Sequence, residues 1–203
     1  LVGKKAGKPI TALPFAQACA RMRRAEVLGT ATRQPDYGAP NNGKRGGFAA
    51  QLGGVQLAEV EVNTLTGVVK VIRVVAGHDC GRPVNPLLVQ SQIHGGIIQG
   101  VSYALFEERR LDPRTGRLLN GNLEQYKIAG SLDVPKIEVI LLEELRGRSS
   151  TDVSGIGEPA TVPTAAAIAN AVYNAIGVRI RELPITPARV LAALASQRGE
   201  TKP

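Results

Sequence analysis

Residues 86–108 carry the pattern that most limits how this chain can fold. An apolar residue recurs at every fourth position: Val89, Ile93, Ile97, Val101 and Leu105. This spacing is that of one face of an α-helix. Asn85 stands before Pro86, and asparagine as N-cap with proline at the first helical position is a typical helix start. The sequence therefore predicts a helix from Pro86 to about Glu108 with one buried face.

The other face of this predicted helix is rich in glycine and amide side chains. Its residues are Gln92, Gly95, Gly96, Gln99, Gly100 and Tyr103. Each interior glycine costs roughly 1 kcal/mol of helix stability relative to alanine, so some compensating interaction is expected. Two interpretations are open. Another backbone packs closely against the glycines, or a ligand lies along them with Gln92 and Gln99 as amide donors and acceptors.

The segment Gly155-Ile156-Gly157-Glu158-Pro159-Ala160 places a lone carboxylate in a glycine-flanked loop. The alanine-rich run behind it predicts a helix from Thr161 to Ile176 that Gly177 closes. Glycines allow a tight turn that a ligand can approach, and a helix start offers unpaired N–H groups. Glu158 is therefore a candidate general base. The alternative is an ordinary solvated acid in the first turn of a helix.

Strands are expected on both sides of the 86–108 helix. β-Branched and alternating apolar residues around a turn at 63–67 predict a hairpin over Val55–Val75. Residues Ile137–Leu142 form a further strand candidate, and Thr186 before proline predicts a last helix that ends near Leu194. We expect an α+β fold in which hairpins and short strands pack against the two main helices.

The chain divides into three parts by composition. Residues 1–47 form a basic, loop-rich lead-in, with a short helix from Pro14 to about Ala25 and an extended loop over 33–47. The patterned region spans 48–194, and a polar tail follows over 195–203.

Composition limits the class of protein. With 203 residues, 43% hydrophobic and 21% charged, the chain resembles ordinary soluble globular proteins. Aromatic residues make up 3%, so the core must consist of Val, Ile, Leu and Ala. No apolar run reaches the roughly 20 residues of a membrane span. Because the chain begins at Leu1 and its only methionine is Met22, we expect a processed precursor or part of a longer polypeptide.

Charge alone does not identify a partner. A net charge of +8 suits nucleic acid, an acidic partner or a phosphate-bearing cofactor. No aromatic residues alternate with the basic ones and no nucleic-acid-binding motif is present, so we expect no nucleic-acid partner.

Metal ligation by the chain's own side chains is not indicated. Cys19 and Cys80 are too few for an iron–sulfur cluster, and each is expected to be a small buried residue. His78, Asp79, Cys80 and His94 lack the paired spacing of metal ligands.

Four segments, taken in order, resemble one family. They are residues 58–62 with the Thr66-Gly67 turn, residues 79–86, residues 92–100 and residues 155–159. The order and spacing are similar to the C-terminal part of the molybdopterin-binding large subunit of the xanthine dehydrogenase/aldehyde oxidase family. Within it, the chain resembles bacterial isoquinoline 1-oxidoreductase-type (beta) subunits. The resemblance covers about Phe48–Leu194.

The resemblance implies a catalytic role for Glu158. Members of the family hydroxylate an N-heterocycle or aldehyde with oxygen derived from water. A glutamate at the position of Glu158 removes the proton from a molybdenum-bound hydroxyl. Gly155 and Gly157 would let this carboxylate reach that oxygen and leave room for substrate.

The resemblance also implies a cofactor site. Gln92 matches the glutamine that hydrogen-bonds the pterin, and Gly95, Gly96 and Gln99 would continue that surface. The cofactor would be molybdopterin with molybdenum, in the cytosine dinucleotide form. His94 stands where glutamate is more frequent in the family, so the resemblance implies no carboxylate role at this position.

Several parts of such an enzyme lie outside this sequence. The resemblance implies the remainder of the large subunit and an iron–sulfur small subunit with [2Fe-2S] clusters as partners, and the isolated chain would be inactive. The bacterial cytoplasm and periplasm are both open as locations. A catalytically degenerate interaction domain of the same fold is the alternative function.

Overall fold

The structure is a computed structural model that describes residues 4–5, 8–9, 14–21, 52–142 and 153–199. The chain forms two compact units, Leu1–Tyr37 and Gly38–Pro203. The first unit contains the paired antiparallel strands β1 (Lys4–Lys5) and β2 (Lys8–Pro9) and the helix α1 (Phe15–Ala20). The end of the predicted 14–25 helix and the predicted loop over 33–47 lie outside the described residues.

A three-stranded sheet supports the second unit. Its strands are β3 (Gly53–Val62), β4 (Val69–Asp79) and β5 (Lys136–Leu142), in the order β3-β4-β5. The first two form an antiparallel hairpin, and β5 pairs parallel to β4. The predicted hairpin and the predicted third strand are therefore confirmed, with longer strands than expected.

Helix α2 (Pro86–Leu105) follows the predicted pattern. The side chain of Asn85 caps it by accepting from the Leu88 N–H at 3.1 Å. The helix ends three residues before the predicted Glu108, because the N–H groups of Phe106 and Glu107 both donate to the carbonyl of Ser102, at 2.9 and 3.0 Å.

Helix α3 (Thr164–Ile176) begins later than predicted. The expected start at Thr161 is wrong, because proline at 163 disfavours a helical conformation at the residue before it, Val162. Gly177 closes the helix with φ 73°, as predicted.

The last helix, α4 (Pro187–Gln197), is capped by Thr186 as predicted. The Thr186 side chain accepts from the Arg189 N–H at 3.3 Å. The helix continues three residues beyond the predicted end at Leu194.

An aliphatic core lies between the hairpin and the helices. Its buried members are all Val, Ile, Leu or Ala, which confirms the expectation from composition and the α+β fold. Cys80 is buried, but Cys19 is only half-buried, since described neighbours on the six-residue helix α1 are exposed. None of the helices in the described ranges has the length and hydropathy needed to cross a membrane.

Candidate functional site

Glu158 lies in a 3₁₀ helix, Glu158–Ala160, which we call the Glu158 turn. The Thr161 N–H closes this turn by donating to the Glu158 carbonyl at 2.8 Å. Glu158 itself is exposed, whereas Ala160 is fully buried. The carboxylate therefore extends from the surface on a turn that is anchored in the core, and not from the first turn of an α-helix, which is the alternative interpretation.

Two glutamine side chains hold the Glu158 turn at its two ends. Gln92 of α2 donates from Nε2 to the carbonyl of Gly157 at 3.1 Å. Gln56 of β3 donates from Nε2 to the carbonyl of Ala160 at 2.7 Å. These two carbonyls flank Glu158 and Pro159, so the carboxylate is carried by a segment that is bonded before and after it.

Gln56 belongs to a buried polar cluster that also contains His78 and Thr164. The Thr164 hydroxyl donates to Gln56 Oε1 at 2.6 Å, and Gln56 Nε2 lies 3.2 Å from His78 Nε2. Because an amide nitrogen only donates, His78 Nε2 accepts, and the imidazole proton then lies on Nδ1, which is buried and has no hydrogen-bond partner among the described residues. Burial lowers the pKa of His78, which favours this neutral form.

The sequence did not single out Gln56, although one signal was present. With the two-residue period of a strand, Gln56 lies on the same face of β3 as Val60 and Val62, opposite to Val55 and Leu57. Those two apolar side chains are 58% and 68% exposed, whereas Gln56 is 7% exposed. The polar residue on this strand faces the core and its apolar neighbours face outward.

An open cleft of about 590 Å³ lies beside Glu158. The other lining residues are Leu52, Gly53, Gly54, Pro159, Val162 and Pro163. Among the described residues that line the cleft, Glu158 is the sole charged one. A small, mostly apolar molecule could occupy this space with its reacting atoms near the carboxylate.

The glycines of α2 lie in two different environments, one closely packed and one open. A Cβ on Gly96 would lie 2.6 Å from the Ala160 Cβ, and a Cβ on Gly100 would lie 2.3 Å from the Thr164 Cβ. Close packing therefore accounts for these two glycines. A Cβ on Gly95 would meet nothing within 4 Å, so this side of the helix is open.

The open side of α2 presents the other predicted site residues. Gln92, Gly95 and Gln99 are all exposed, and Gln99 Oε1 accepts from the Thr161 hydroxyl at 3.3 Å. Gly155 and Gly157, in the loop before Glu158, are also exposed and have open space where a Cβ would be. The amide side chains of α2 thus bond to the segment that carries the carboxylate.

Within the described ranges, no three His, Cys, Asp or Glu side chains converge on a point that could hold a metal ion. His94 is exposed on α2, and His78 is used in the buried cluster.

Comparisons with known proteins give a consistent result. The family model described as "Molybdopterin cofactor-binding domain" matches residues 3–135. This match contains the α2 residues and ends before Glu158. A nicotinate dehydrogenase chain of Pseudomonas putida is 44% identical over 141 residues, which are 70% of this chain and 11% of that protein. The xanthine dehydrogenase molybdenum-binding subunit of Escherichia coli O157:H7 is 39% identical over 137 residues, 68% of this chain and 18% of that protein.

Solved structures show the same relationship. The quinoline 2-oxidoreductase of Pseudomonas putida 86 superposes with a TM-score of 0.62 and 35% identity, over 66% of this chain and 17% of that one. The chain thus spans less than one fifth of the length of each of these relatives. It belongs to the molybdopterin cofactor-binding domains of the molybdenum-binding subunits in the xanthine dehydrogenase/aldehyde oxidase family.

Proposed function

We propose that this chain is part of a molybdenum hydroxylase that oxidises an N-heterocycle or an aldehyde with water-derived oxygen, and that Glu158 is its general base. The observation that carries the proposal is the position of Glu158. Its exposed carboxylate stands on a turn held at both ends, beside an open cleft. Related proteins include a nicotinate dehydrogenase, a quinoline 2-oxidoreductase and aldehyde oxidoreductases, which supports both substrate classes.

The residues present fit a molybdopterin cofactor. Gly95, Gly155 and Gly157 have open space where a side chain would stand, so a flat ring system could approach their backbone closely. Gln92 and Gln99 supply amide groups, which match the alternating donors and acceptors of a pterin. Gly96 contributes indirectly, because its missing Cβ lets the Glu158 turn lie against α2.

We further propose the cytosine dinucleotide form of the cofactor. A chain with a net charge of +8 suits its diphosphate. When bound, the cofactor supplies a Lewis-acidic metal centre and accepts the two electrons of the oxidation.

Glu158 acts through its carboxylate oxygens. It accepts the proton of the water-derived hydroxyl whose oxygen enters the product. The turn holds the carboxylate at one position relative to α2, which limits the geometry from which the proton is taken. The apolar walls of the cleft bind the substrate carbon skeleton.

Other parts of the enzyme complete this function. The remainder of the large subunit would cover the exposed apolar side chains of this chain, and Leu57, Leu88 and Leu132 are 68%, 64% and 93% exposed. An iron–sulfur subunit with [2Fe-2S] clusters would carry the electrons away.

The test is a Glu158→Gln substitution in the complete enzyme. Glutamine keeps the size of the side chain and removes its basicity, so kcat should fall at least about a hundredfold. The molybdenum content and the CMP released by mild acid should be unchanged. Glu182→Gln is the matched control, since that carboxylate is 80% exposed in a surface ion pair and should have little effect.

Two outcomes would contradict the proposal. Catalysis that survives within a few-fold in Glu158→Gln would remove the role of Glu158. A well-folded wild-type enzyme from a molybdenum-replete host that contains neither molybdenum nor nucleotide would instead support a catalytically degenerate interaction domain.

A further inference from the structure

We propose that Gln56 is a positioning residue for Glu158, acting through the Ala160 carbonyl. The inference rests on the proposed role of Glu158. Gln56 lies 102 residues before Glu158 in the chain, on β3, yet its amide bonds to the last residue of the Glu158 turn. No side chain caps the start of this turn, so the groups that bond to the flanking carbonyls contribute to its position together with the packing of Ala160.

The two glutamines that hold the turn are not equivalent. Gln92 is exposed, so water competes for its bond to the Gly157 carbonyl. Gln56 is buried, and its bond to Ala160 is short at 2.7 Å. A buried carbonyl that lost this donor would keep only the longer contact from the Thr164 hydroxyl, 3.3 Å away, at a cost in stability. The contact from Gln56 is therefore the stronger restraint on the turn.

The surroundings of Gln56 require the amide group itself. Its nitrogen donates to the Ala160 carbonyl and to His78 Nε2, and its oxygen accepts from the Thr164 hydroxyl. Two donors and one acceptor on a single side chain of this length are available from glutamine alone. A glutamate would place a carboxylate oxygen against the Ala160 carbonyl, and a methionine would leave that carbonyl with only the Thr164 hydroxyl, 3.3 Å away.

His78 and Gly54 fix Gln56 from the opposite side. His78 is 1% exposed and is the cross-strand partner of Gly54. A Cβ on Gly54 would lie 2.5 Å from His78 Nδ1, so the imidazole occupies the space that this glycine leaves. The ring is thereby held where its Nε2 accepts from Gln56. The β3–β4 hairpin thus holds the Gln56 amide in position to donate to the Ala160 carbonyl of the Glu158 turn.

The first test is hydrogen exchange at the Thr161 amide in the complete enzyme, since this N–H closes the Glu158 turn. Gln56→Met should accelerate exchange there about tenfold, the effect of one net hydrogen bond. Amides of α4 should not change. Gln197→Met, the same change at an exposed residue at the end of α4, should leave Thr161 exchange at the wild-type rate.

The second readout is kinetic. For Gln56→Met, kcat per molybdenum should fall between about tenfold and a hundredfold, as expected for a misplaced catalytic group. KM should change less than about threefold, because Gln56 does not line the cleft beside Glu158. If Gln56→Met does not yield folded enzyme, Thr164→Val should show the same changes more weakly, since it removes one hydroxyl of the cluster at constant volume.

The outcomes separate this inference from the proposed function. Unchanged exchange at Thr161 would overturn the positioning role, and so would faster exchange with an unchanged kcat per molybdenum. If Glu158→Gln kept its activity, the role of Glu158 would fail whatever the exchange rates were.

Discussion

Alanine at two adjacent glycines of α2 should have opposite effects on stability. Both Gly95→Ala and Gly96→Ala gain about 1 kcal/mol from helix propensity. A Cβ at 95 meets nothing within 4 Å, whereas one at 96 would lie 2.6 Å from the Ala160 Cβ and 3.0 Å from the Ala160 carbonyl carbon. Overpacking of this kind costs about 1–3 kcal/mol. Gly95→Ala should therefore stabilise the chain by about 1 kcal/mol, and Gly96→Ala should be neutral or destabilising by up to about 2 kcal/mol.

The assay is urea unfolding of the two variants and the wild-type chain, followed by far-UV circular dichroism. Helix propensity contributes equally to both variants, so their difference, about 1–3 kcal/mol, reports the packing against Ala160 alone. Equal stabilisation by both substitutions would refute the contact between Gly96 and the Glu158 turn.

The same pair tests the cofactor surface. In the complete enzyme, Gly95→Ala should lower the molybdenum and CMP content although it stabilises the chain, because its Cβ occupies the open side of α2. Wild-type loading would contradict the proposed place of Gly95 beside the cofactor.

Two further predictions concern the buried cluster. Gly54→Ala should destabilise the chain by about 1–3 kcal/mol more than Gly53→Ala in urea unfolding. The reason is that a Cβ at 54 would lie 2.5 Å from His78 Nδ1, whereas one at 53 would lie 3.9 Å from the Asp79 Cβ. Equal effects of the two substitutions would contradict this packing. Because the pKa of His78 is lowered in the folded chain, the unfolded chain binds the proton first as pH falls below about 6.5, and stability should fall there by at most about 1.4 kcal/mol per pH unit. His78→Gln should remove that part of the slope when unfolding is compared at pH 7.5 and 5.5, and an unchanged slope would show that His78 does not contribute.

The elements with local signals could be predicted from the sequence. Asn85 and Pro86 specify the start of α2 through their own chemistry, and the turn at 63–67 specifies the hairpin. The start of α3 differs from the prediction because Pro163 separates the α-helix from the Glu158 turn that precedes it. The sequence also could not show whether the loop of Glu158 is held in place, since the side chains that bond to it, Gln56 and Gln92, come from β3 and α2.

The orientation of β3 shows why the rest could not be predicted. Alternation of apolar and polar residues indicates that the two faces of a strand differ, but which face is buried depends on the elements that pack against it. Val55 and Leu57 are exposed in this chain, and Gln56 takes the inner face because Thr164, His78 and the Ala160 carbonyl satisfy its amide there. Those partners lie between 22 and 108 residues away in the chain, beyond the reach of a local pattern.

The glycine pair of α2 explains how one helix can serve both a packed turn and an open surface. Consecutive residues of a helix are rotated by about 100° about its axis, so Gly95 and Gly96 leave two adjacent sides of α2 without a side chain at these positions. The Glu158 turn lies against the side of Gly96, and Gln92 and Gln99, on the open side, bond across to Gly157 and Thr161. A larger residue at 96 would move the carboxylate away from the helix, and one at 95 would fill the surface beside it. The stability lost at both glycines therefore lets the Glu158 turn lie against α2 and keeps the adjacent proposed cofactor surface open.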